Sequence, residues 1–226
     1  ESLADRVGLA LLAKWKPPVG GYAQKLDMVI PDFHDDAESA GLRFVHENGA
    51  REDALSLPVT GSGGVALLDA NGDGLLDVYA VQGGPFPPSP VASSASPGGD
   101  KLFLNLGGGR FQDSTERAGL AGARGYGHGV AVGDFDNDGD PDLFVTRWRS
   151  YALYRNNGDA TFTDVTVNMG LGGDRDWPTS AAFADLDDDG DLDLYVCHYL
   201  VWDTGKSYPC VDPQSPYKYH CNPLDF

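Results

Sequence analysis

The sequence contains few basic residues and few cysteines. Among its 226 residues, 16 Lys and Arg stand against 34 Asp and Glu, which gives a formal net charge of -18. Proteins that bind nucleic acid by neutralising phosphates need the opposite balance, so we expect no nucleic-acid partner. The 3 cysteines are too few for a fold held together by disulfides.

Long apolar runs and familiar catalytic motifs are also absent. No stretch reaches the roughly 20 apolar residues of a membrane-spanning helix, so we expect no membrane insertion, and the first residues do not form an intact leader peptide. The patterns H-E-x-x-H, G-x-x-x-x-G-K and G-x-S-x-G do not occur, and we name no catalytic residue. The chain does have 41% hydrophobic residues, enough for a core, and its 30 Gly and 15 Pro favour turns over long helices.

A repeat of 51 residues is the strongest pattern in the chain. Residues 153–164 restate residues 102–113 without a gap. An earlier, degenerate copy is offset by 65 residues and puts Asp69 in the position of Asp134. The copies differ by an insertion at 83–100, rich in Pro, Ser and Gly, which we predict to be an exposed loop. A period near 50 residues is typical of propellers and other repeat arrays.

Each copy has the pattern of several short strands. Apolar runs such as 130–132 and 143–145 lie on either side of an acidic turn and predict strands buried on both faces. Four short antiparallel strands per copy would form one blade of a β-propeller. We predict an all-β chain with four-stranded antiparallel propeller blades over residues 33–226. A lead-in over residues 1–32 precedes them and contains a short helix at residues 2–14.

Three acidic turns, at residues 69–77, 134–142 and 185–193, share the pattern D-x-[DN]-x-D-G-x-x-D. Side-chain oxygens at positions one, three and five converge when such a loop coils around an ion, and glycine at position six allows the sharp turn. Position seven offers its backbone carbonyl, and the carboxylate at position nine closes the site. The predicted ligands are Asp69, Asn71, Asp73, Leu75, Asp77, Asp134, Asp136, Asp138, Asp140, Asp142, Asp185, Asp187, Asp189, Asp191 and Asp193.

The all-oxygen ligand set favours Ca²⁺ over zinc or copper, at about three sites. An EF-hand is excluded because its twelfth position needs Glu, where this chain has Ala80, Val145 and Val196. The alternative is an acidic hairpin turn that binds no metal, and three equivalent copies disfavour it. Because carboxylates this close together repel one another, we expect Ca²⁺ to raise the stability of the protein.

These loops and the Leu-Tyr-x-Asn-x-Gly-Asp hairpin that starts at Leu153 resemble FG-GAP or VCBS-type repeats, the Ca²⁺-binding blades of integrin α-chain-like β-propellers. Residues 41–49 and 219–223 are similar to segments of the group related to cartilage acidic protein, which often carries an ASPIC/UnbV region. The resemblance covers residues 33–226. It implies an extracellular or periplasmic propeller whose calcium sites rigidify the blades, with Asn71 standing where the family usually has Asp.

Propellers of that family have roughly seven blades, within the usual range of the fold. This chain has three acidic loops. The resemblance therefore implies an incomplete propeller: a fragment, a ring completed by another chain, or an open arc. An open arc would leave a strand edge exposed, which soluble proteins avoid.

Cysteines and a set of equivalent positions supply further candidates. The loop at 203–226 holds Cys210 and Cys221, which would pair in an oxidising compartment and remain free thiols in a reducing one. Cys197 lies on a predicted strand and is expected to be a core residue. The fifth residue after each closing aspartate and its neighbours would share one propeller face, where they either bind a partner or pack within loops. The predicted partner face is Gln82, Arg147, Trp148, His198 and Tyr199.

The sequence thus predicts a calcium-binding β-propeller segment outside the cytoplasm, acting as a non-catalytic adhesion, scaffolding or protein-interaction module. Its expected partner is another protein or further propeller blades. One alternative is an accessory subunit of a larger extracytoplasmic or membrane-anchored complex. Another is a cell-surface polysaccharide lyase or hydrolase propeller with a glycan ligand. An enzyme needs an acid and a base that converge in a pocket, and no such pair is apparent in the sequence.

Overall fold

The computed structural model describes residues 34–50, 57–86, 99–122 and 125–200. The chain forms two compact units, Glu1–Asp35 and Asp36–Phe226, and every element given below lies in the second. The helix predicted at residues 2–14, the loop at 203–226 and the pair Cys210 and Cys221 lie outside the described residues.

The described residues form ten strands and two short helical turns. The first blade contains β1 (Gly64–Leu68), β2 (Asp77–Val81), β3 (Lys101–Asn105) and β4 (Phe111–Asp113), and the second contains β5 (Gly127–Gly133), β6 (Asp142–Arg147), β7 (Ser150–Asn156) and β8 (Phe162–Asp164). The third blade is represented by β9 (Pro178–Ala184) and β10 (Asp193–His198). The helical turns are α1 (Ala37–Ala40) and a 3₁₀ turn (Leu57–Thr60), neither of which was predicted.

Each blade is an up-and-down antiparallel sheet. The strand orders are β1-β2-β3-β4 and β5-β6-β7-β8, and β9 pairs with β10 in a separate two-stranded sheet. The first and second strands of each blade pair in the same register in all three copies, with an alanine opposite an aromatic residue. These pairs are Ala66 with Tyr79, Ala131 with Phe144, and Ala182 with Tyr195. The predicted all-β fold with propeller blades is confirmed.

The core lies between neighbouring blades. One cluster buries Leu68 and Tyr79 of the first blade together with Leu143 and Tyr154 of the second. On the other face of the second blade, Phe144 meets Phe183 of the third, with ring centroids 6.4 Å apart. Apolar residues on both faces of the second sheet therefore pack it against its two neighbouring blades.

The two ends of this stack differ from the sequence prediction. Val65 and Leu67 on β1, and Tyr195 and Cys197 on β10, are exposed, so the prediction that these strands are buried on both faces is wrong, as is the assignment of Cys197 to the core. Burial needs a neighbouring blade on each side. Among the described residues, β1 has no blade before it and β10 has none after it.

The insertion at 83–100 is only partly described. Its ends are buried at Gly83 and Asp100, so the prediction of an exposed loop is wrong there. Residues 87–98 lie outside the described part. Asp100 is buried with Arg147 of the second blade, with which it forms an ion pair.

Candidate metal centres in the blade turns

The three acidic segments lie at equivalent places, each in the turn between the first and second strands of a blade. In the second blade the turn joins β5 to β6, so residues 134–142 start and end beside paired strands. The register is Val132 opposite Leu143 and Gly133 opposite Asp142. Strand pairing therefore brings the two ends of each acidic segment together.

Each loop folds around its own carboxylates. In the second loop, Asp134 accepts hydrogen bonds from the backbone N–H of Asp138 at 3.0 Å and of Gly139 at 2.9 Å. Asp138 in turn accepts one from the N–H of Asp140 at 3.0 Å. The same three bonds occur in the first loop (Asp69 with Asp73 and Gly74, Asp73 with Leu75) and in the third (Asp185 with Asp189 and Gly190, Asp189 with Asp191).

Positions four and six of each loop turn the chain with positive φ. Position four is Gly72, Asn137 or Asp188, with φ of 71°, 58° and 64°. Glycine has no Cβ to clash in this conformation, and Asn and Asp tolerate it better than other residues. The glycines at position six have φ of 82°, 96° and 94° (Gly74, Gly139 and Gly190). The spacing of these residue types thus sets the loop conformation locally.

The aspartate at position nine ties each loop to the sheet. Asp142 is fully buried, and its two oxygens accept hydrogen bonds from the N–H of Phe135 at 3.0 Å and of Asn156 at 2.7 Å. Asp77 makes the corresponding bonds with Ala70 and Asn105. Each therefore links its loop to the third strand of the blade, a role that the sequence pattern did not reveal.

Burial also changes the acidity of these two residues. It raises the pKa of Asp142 to about 6, although the two backbone hydrogen bonds favour the carboxylate form, and the nearby charges of Asp136 and Asp138 raise it further. The pKa of Asp77 is raised for the same reason, with Asp69 and Asp73 as the neighbouring charges. The loops therefore hold carboxylates that repel one another.

Two of the loops bring carboxylates close enough to share one ion. Asp134, Asp136 and Asp138 each offer one oxygen, and these three atoms lie within 4.8 Å of one another. Asp185, Asp187 and Asp193 do the same in the third loop. In the first loop, the Asn71 amide instead donates a hydrogen bond to Asp73 at 3.0 Å.

The chemistry of the donor set fits a hard divalent cation. Every side-chain donor is an oxygen, which suits Ca²⁺, whereas zinc and copper prefer nitrogen and sulfur. The ion pairs found in the described part of the chain are Lys101–Asp113, Asp100–Arg147 and Arg149–Asp174. None of them places a basic side chain in an acidic loop, so the negative charge there has no ion-pair partner among these residues.

The residues of the predicted partner face separate into two environments. Gln82, Arg147 and Trp148 are buried, whereas His198 and Tyr199 are exposed. Arg147 is 2% exposed and forms its ion pair with Asp100 at 2.5 Å. Three of the five side chains therefore pack inside the protein and present no surface to a partner. Arg147 reaches Asp100 of the first blade, whereas the Gln82 side chain is hydrogen-bonded to the backbone of Val45 and Glu47.

A buried polar network surrounds that ion pair. Asp100 also accepts hydrogen bonds from the Tyr79 hydroxyl at 2.6 Å and from the backbone N–H of Gln82 at 2.8 Å. Asp100 and Tyr79 belong to the first blade and Arg147 to the second, so the network joins the two blades. Asp100 was not singled out in the sequence because it lies at the end of an irregular insertion with no repeat equivalent.

A second buried cluster lies where β5 begins and β6 ends. It contains Tyr126, Trp148 and Trp177, and His128 packs among their rings. His128 donates a hydrogen bond from Nδ1 to the carbonyl of Gly61 at 2.9 Å, and its Nε2 has no hydrogen-bond partner among the described residues. Burial lowers the pKa of His128, so the ring favours its neutral form.

Fold and loops together define a repeat protein built of β-propeller blades with acidic turns. The sequence matches the FG-GAP-like repeat family over residues 91–145 and 134–196. Residues 91–196 therefore carry FG-GAP-like repeats, and the resemblance predicted from the sequence is confirmed. Such repeats are typically extracellular.

The curated relatives point to the same kind of repeat. Human cartilage acidic protein 1 is 35% identical over 68 residues, which cover 28% of this chain and 10% of that protein. Cartilage acidic protein 1 of Xenopus tropicalis is 29% identical over 101 residues, covering 42% of this chain and 15% of that protein. The match thus spans a small part of each relative.

One solved structure aligns with part of this chain. It is that of an Agrocybe aegerita lectin in specific recognition of non-reducing terminal N-acetylglucosamine, with 22% sequence identity and a TM-score of 0.34. The alignment covers 60% of this chain and 32% of the lectin. No helix among the described residues of this protein is long and apolar enough to cross a membrane.

Proposed function

We propose that the chain is a Ca²⁺-stabilised segment of a β-propeller that acts as a non-catalytic protein-interaction module outside the cytoplasm, either extracellular or periplasmic. The observation that carries the proposal is the repeated loop geometry. Position one accepts the N–H groups of positions five and six in all three loops, and position five accepts that of position seven. The three loops arrange their carboxylate oxygens in the same way, which supports binding of the same kind of ligand in each loop.

The ligands in this proposal are those at positions one, three, five, seven and nine of each loop. Bound Ca²⁺ supplies positive charge that offsets the repulsion among the carboxylates. Side chains at positions one and five hold the loop backbone while leaving lone pairs for an ion, since each carboxylate has about four acceptor sites. In the first two blades, the aspartate at position nine is also hydrogen-bonded to the third strand, so an ion bound in the loop restrains that strand as well. The ion then has a structural role in each blade.

The described end of the blade stack supports assembly with further protein. Tyr195 occupies the repeat position of Tyr79 and Phe144, which are both completely buried, yet Tyr195 is 65% exposed. A following blade covers each of the two buried rings. We infer that another blade or a protein partner covers the face that contains Tyr195, in agreement with an accessory role in a larger complex.

Thermal unfolding with and without metal tests the calcium proposal. We expect the midpoint to fall in EDTA and to rise with Ca²⁺ in excess, because an ion that binds only the folded state stabilises it by mass action. Mg²⁺ at the same concentration serves as the control and should have a smaller effect, because it needs a tighter octahedral site.

A matched variant assigns the effect to a loop. Asp136 is exposed and lies at position three of the second loop. Asp136→Asn should lower the Ca²⁺-dependent gain in stability while leaving the stability in EDTA nearly unchanged. Equal midpoints in EDTA and Ca²⁺ for the wild-type protein, together with no heat of Ca²⁺ binding in calorimetry, would contradict the proposal.

A further inference from the structure

We propose that Asn137 of the second acidic loop is a positioning residue for the metal site in the third loop. The inference rests on the proposed function, because it concerns Ca²⁺ binding at the loops. It adds that the two neighbouring sites are coupled through a side chain that is not a ligand of either one.

A direct hydrogen bond joins the two loops. The Nδ2 amide of Asn137 donates to Oδ1 of Asp191 over 2.7 Å, between residues 54 positions apart in sequence. Asn137 is at position four of its loop, where the side chain is not a predicted ligand, and Asp191 is at position seven of the next loop. The side chain of Asn137 is therefore not a ligand in its own loop. It contacts Asp191, whose backbone carbonyl is expected to bind the ion of the next loop.

The bond fixes the part of the third loop that closes around the ion. Asp191 also donates its backbone N–H to Asp189 at 2.9 Å, so its side chain and its backbone are both held. A loop that is ordered before binding loses less conformational freedom when the ion enters, and its affinity is correspondingly higher. The amide of Asn137 also places a donor, rather than another carboxylate, beside Asp191 in a strongly acidic region.

The first loop provides an internal comparison. Its position four is Gly72, which has no side chain, so it cannot make the corresponding bond to Asp140 at position seven of the second loop. The Asp140 carboxylate instead lies against Gly158, in the turn between β7 and β8 of its own blade. A Cβ atom added to Gly158 would be 2.6 Å from this carboxylate. The inferred coupling therefore belongs to the second and third loops.

Two substitutions at Asn137 separate this role from a general effect of charge. Asn137 has φ of 58°, a conformation that Gly and Asp both tolerate. Asn137→Gly removes the donor and reproduces the residue of the first loop. Asn137→Asp replaces the donor by a carboxylate that faces Asp191 and adds one negative charge. Long-range attraction alone would make Ca²⁺ bind more tightly to the Asp variant, whereas loss of the bond predicts weaker binding in both.

The readout is residue-specific Ca²⁺ affinity from NMR titration of backbone amides in the intact chain. Gly190 reports the third loop, Gly139 the second and Gly74 the first. We expect the affinity at Gly190 to fall about threefold to tenfold in both variants, the range that corresponds to one ordinary hydrogen bond, with little change at Gly74. An unchanged or tighter affinity at Gly190, or an effect confined to Gly139, would overturn the inference.

The wild-type titration separates this inference from the proposed function. If no amide of the three loops responds to Ca²⁺ in the wild-type protein, the proposed function itself fails. If the wild-type loops bind Ca²⁺ and both variants bind it equally well at Gly190, only the role of Asn137 is wrong. Melting curves in EDTA verify that each variant is folded before it is titrated.

Discussion

At the scale of single residues, the aspartate at position nine is the clearest case in which one side chain has two roles. Spacing predicts it as a ligand, and the structure shows that it also accepts backbone hydrogen bonds. Asp142 accepts two while completely buried, whereas the equivalent Asp193 is exposed and, among the described residues, accepts one, from Leu186 at 2.9 Å. The same residue at equivalent positions thus differs in burial and in hydrogen bonding from one blade to the next.

The comparison of Asp142→Asn with Asp193→Asn tests this difference. Asn has one oxygen, so Asp142→Asn leaves one buried N–H facing an amide NH₂ group. We expect a loss of about 2 to 3 kcal/mol in the free energy of unfolding at position 142, and less than about 0.5 kcal/mol at the exposed position 193. Urea unfolding in EDTA measures both losses without a metal contribution, and equal losses would contradict the assigned role of Asp142.

His128 predicts a pH dependence. Its folded-state pKa lies below the unfolded value of 6.5, because burial disfavours the imidazolium form. The stabilising contribution is therefore fully present above pH 6.5 and is lost as pH falls through the folded pKa. The free energy of unfolding should decrease on acidification below pH 6.5. In His128→Phe, which keeps an aromatic ring in the cluster, this part of the decrease should be missing.

Urea unfolding at several pH values in EDTA gives the comparison. The other four histidines, His34, His46, His198 and His220, are present in both proteins, so the difference between the two curves isolates His128. Parallel curves would show that His128 does not control the acid sensitivity.

At the scale of strands and sheets, the described blades are joined by apolar packing, by hydrogen bonds such as that of Asn137 with Asp191, and by the buried ion pair of Asp100 with Arg147. Asp100 and Arg147 are 1% and 2% exposed and lie on different blades. A buried pair adds little net stability over a well-packed apolar pair, but the loss of one partner leaves an uncompensated charge. We infer that this interaction acts mainly to fix how the first blade meets the second.

Single and double substitutions distinguish these two effects. Arg147→Met should cost about 3 to 5 kcal/mol in the free energy of unfolding, because it leaves Asp100 buried without its partner. The double variant Arg147→Met with Asp100→Asn should recover part of that loss, because the neutral amide needs no ionic partner and still offers one oxygen to the donors that Asp100 serves. Chemical unfolding of the wild-type, single and double variants measures the coupling, and additive losses would contradict the interpretation.

The strand-level prediction succeeded where the signal was local. Apolar runs on either side of an acidic turn identified β5 and β6, and the repeat then located the same hairpin in the other blades. The buried ends of the insertion at 83–100 could not be predicted in this way. Asp100 is buried because Arg147, 47 residues away, lies opposite to it, and no periodicity in the insertion encodes that contact.

At the scale of the whole molecule, the two ends of the blade stack are surfaces of the described residues that no neighbouring blade covers. The outer face of the first blade exposes Leu67 of β1, and the outer face of the third blade exposes Tyr195 of β10. Their repeat equivalents, Val132 and Phe144, pack between blades. The same sequence pattern is therefore a core in one copy and a surface in another.

This contrast predicts unequal effects at equivalent positions. Phe144→Ala should cost about 3 to 5 kcal/mol in the free energy of unfolding, because it creates a cavity between two blades. Tyr195→Ala should cost less than about 0.5 kcal/mol in the isolated chain. Thermal and urea unfolding measure both effects. A large loss for Tyr195→Ala would mean that its ring is already covered in this chain.

Local residue spacing is enough to specify the repeat, the β-hairpins and the conformation of the acidic loops, because the bonds that shape a loop join residues two to five positions apart. Packing between blades determines which copies are buried, places Asp142 and Arg147 in the interior, and brings Asn137 to Asp191. Those outcomes depend on what the neighbouring blade places opposite each side chain, and spacing along the chain carries no information about it.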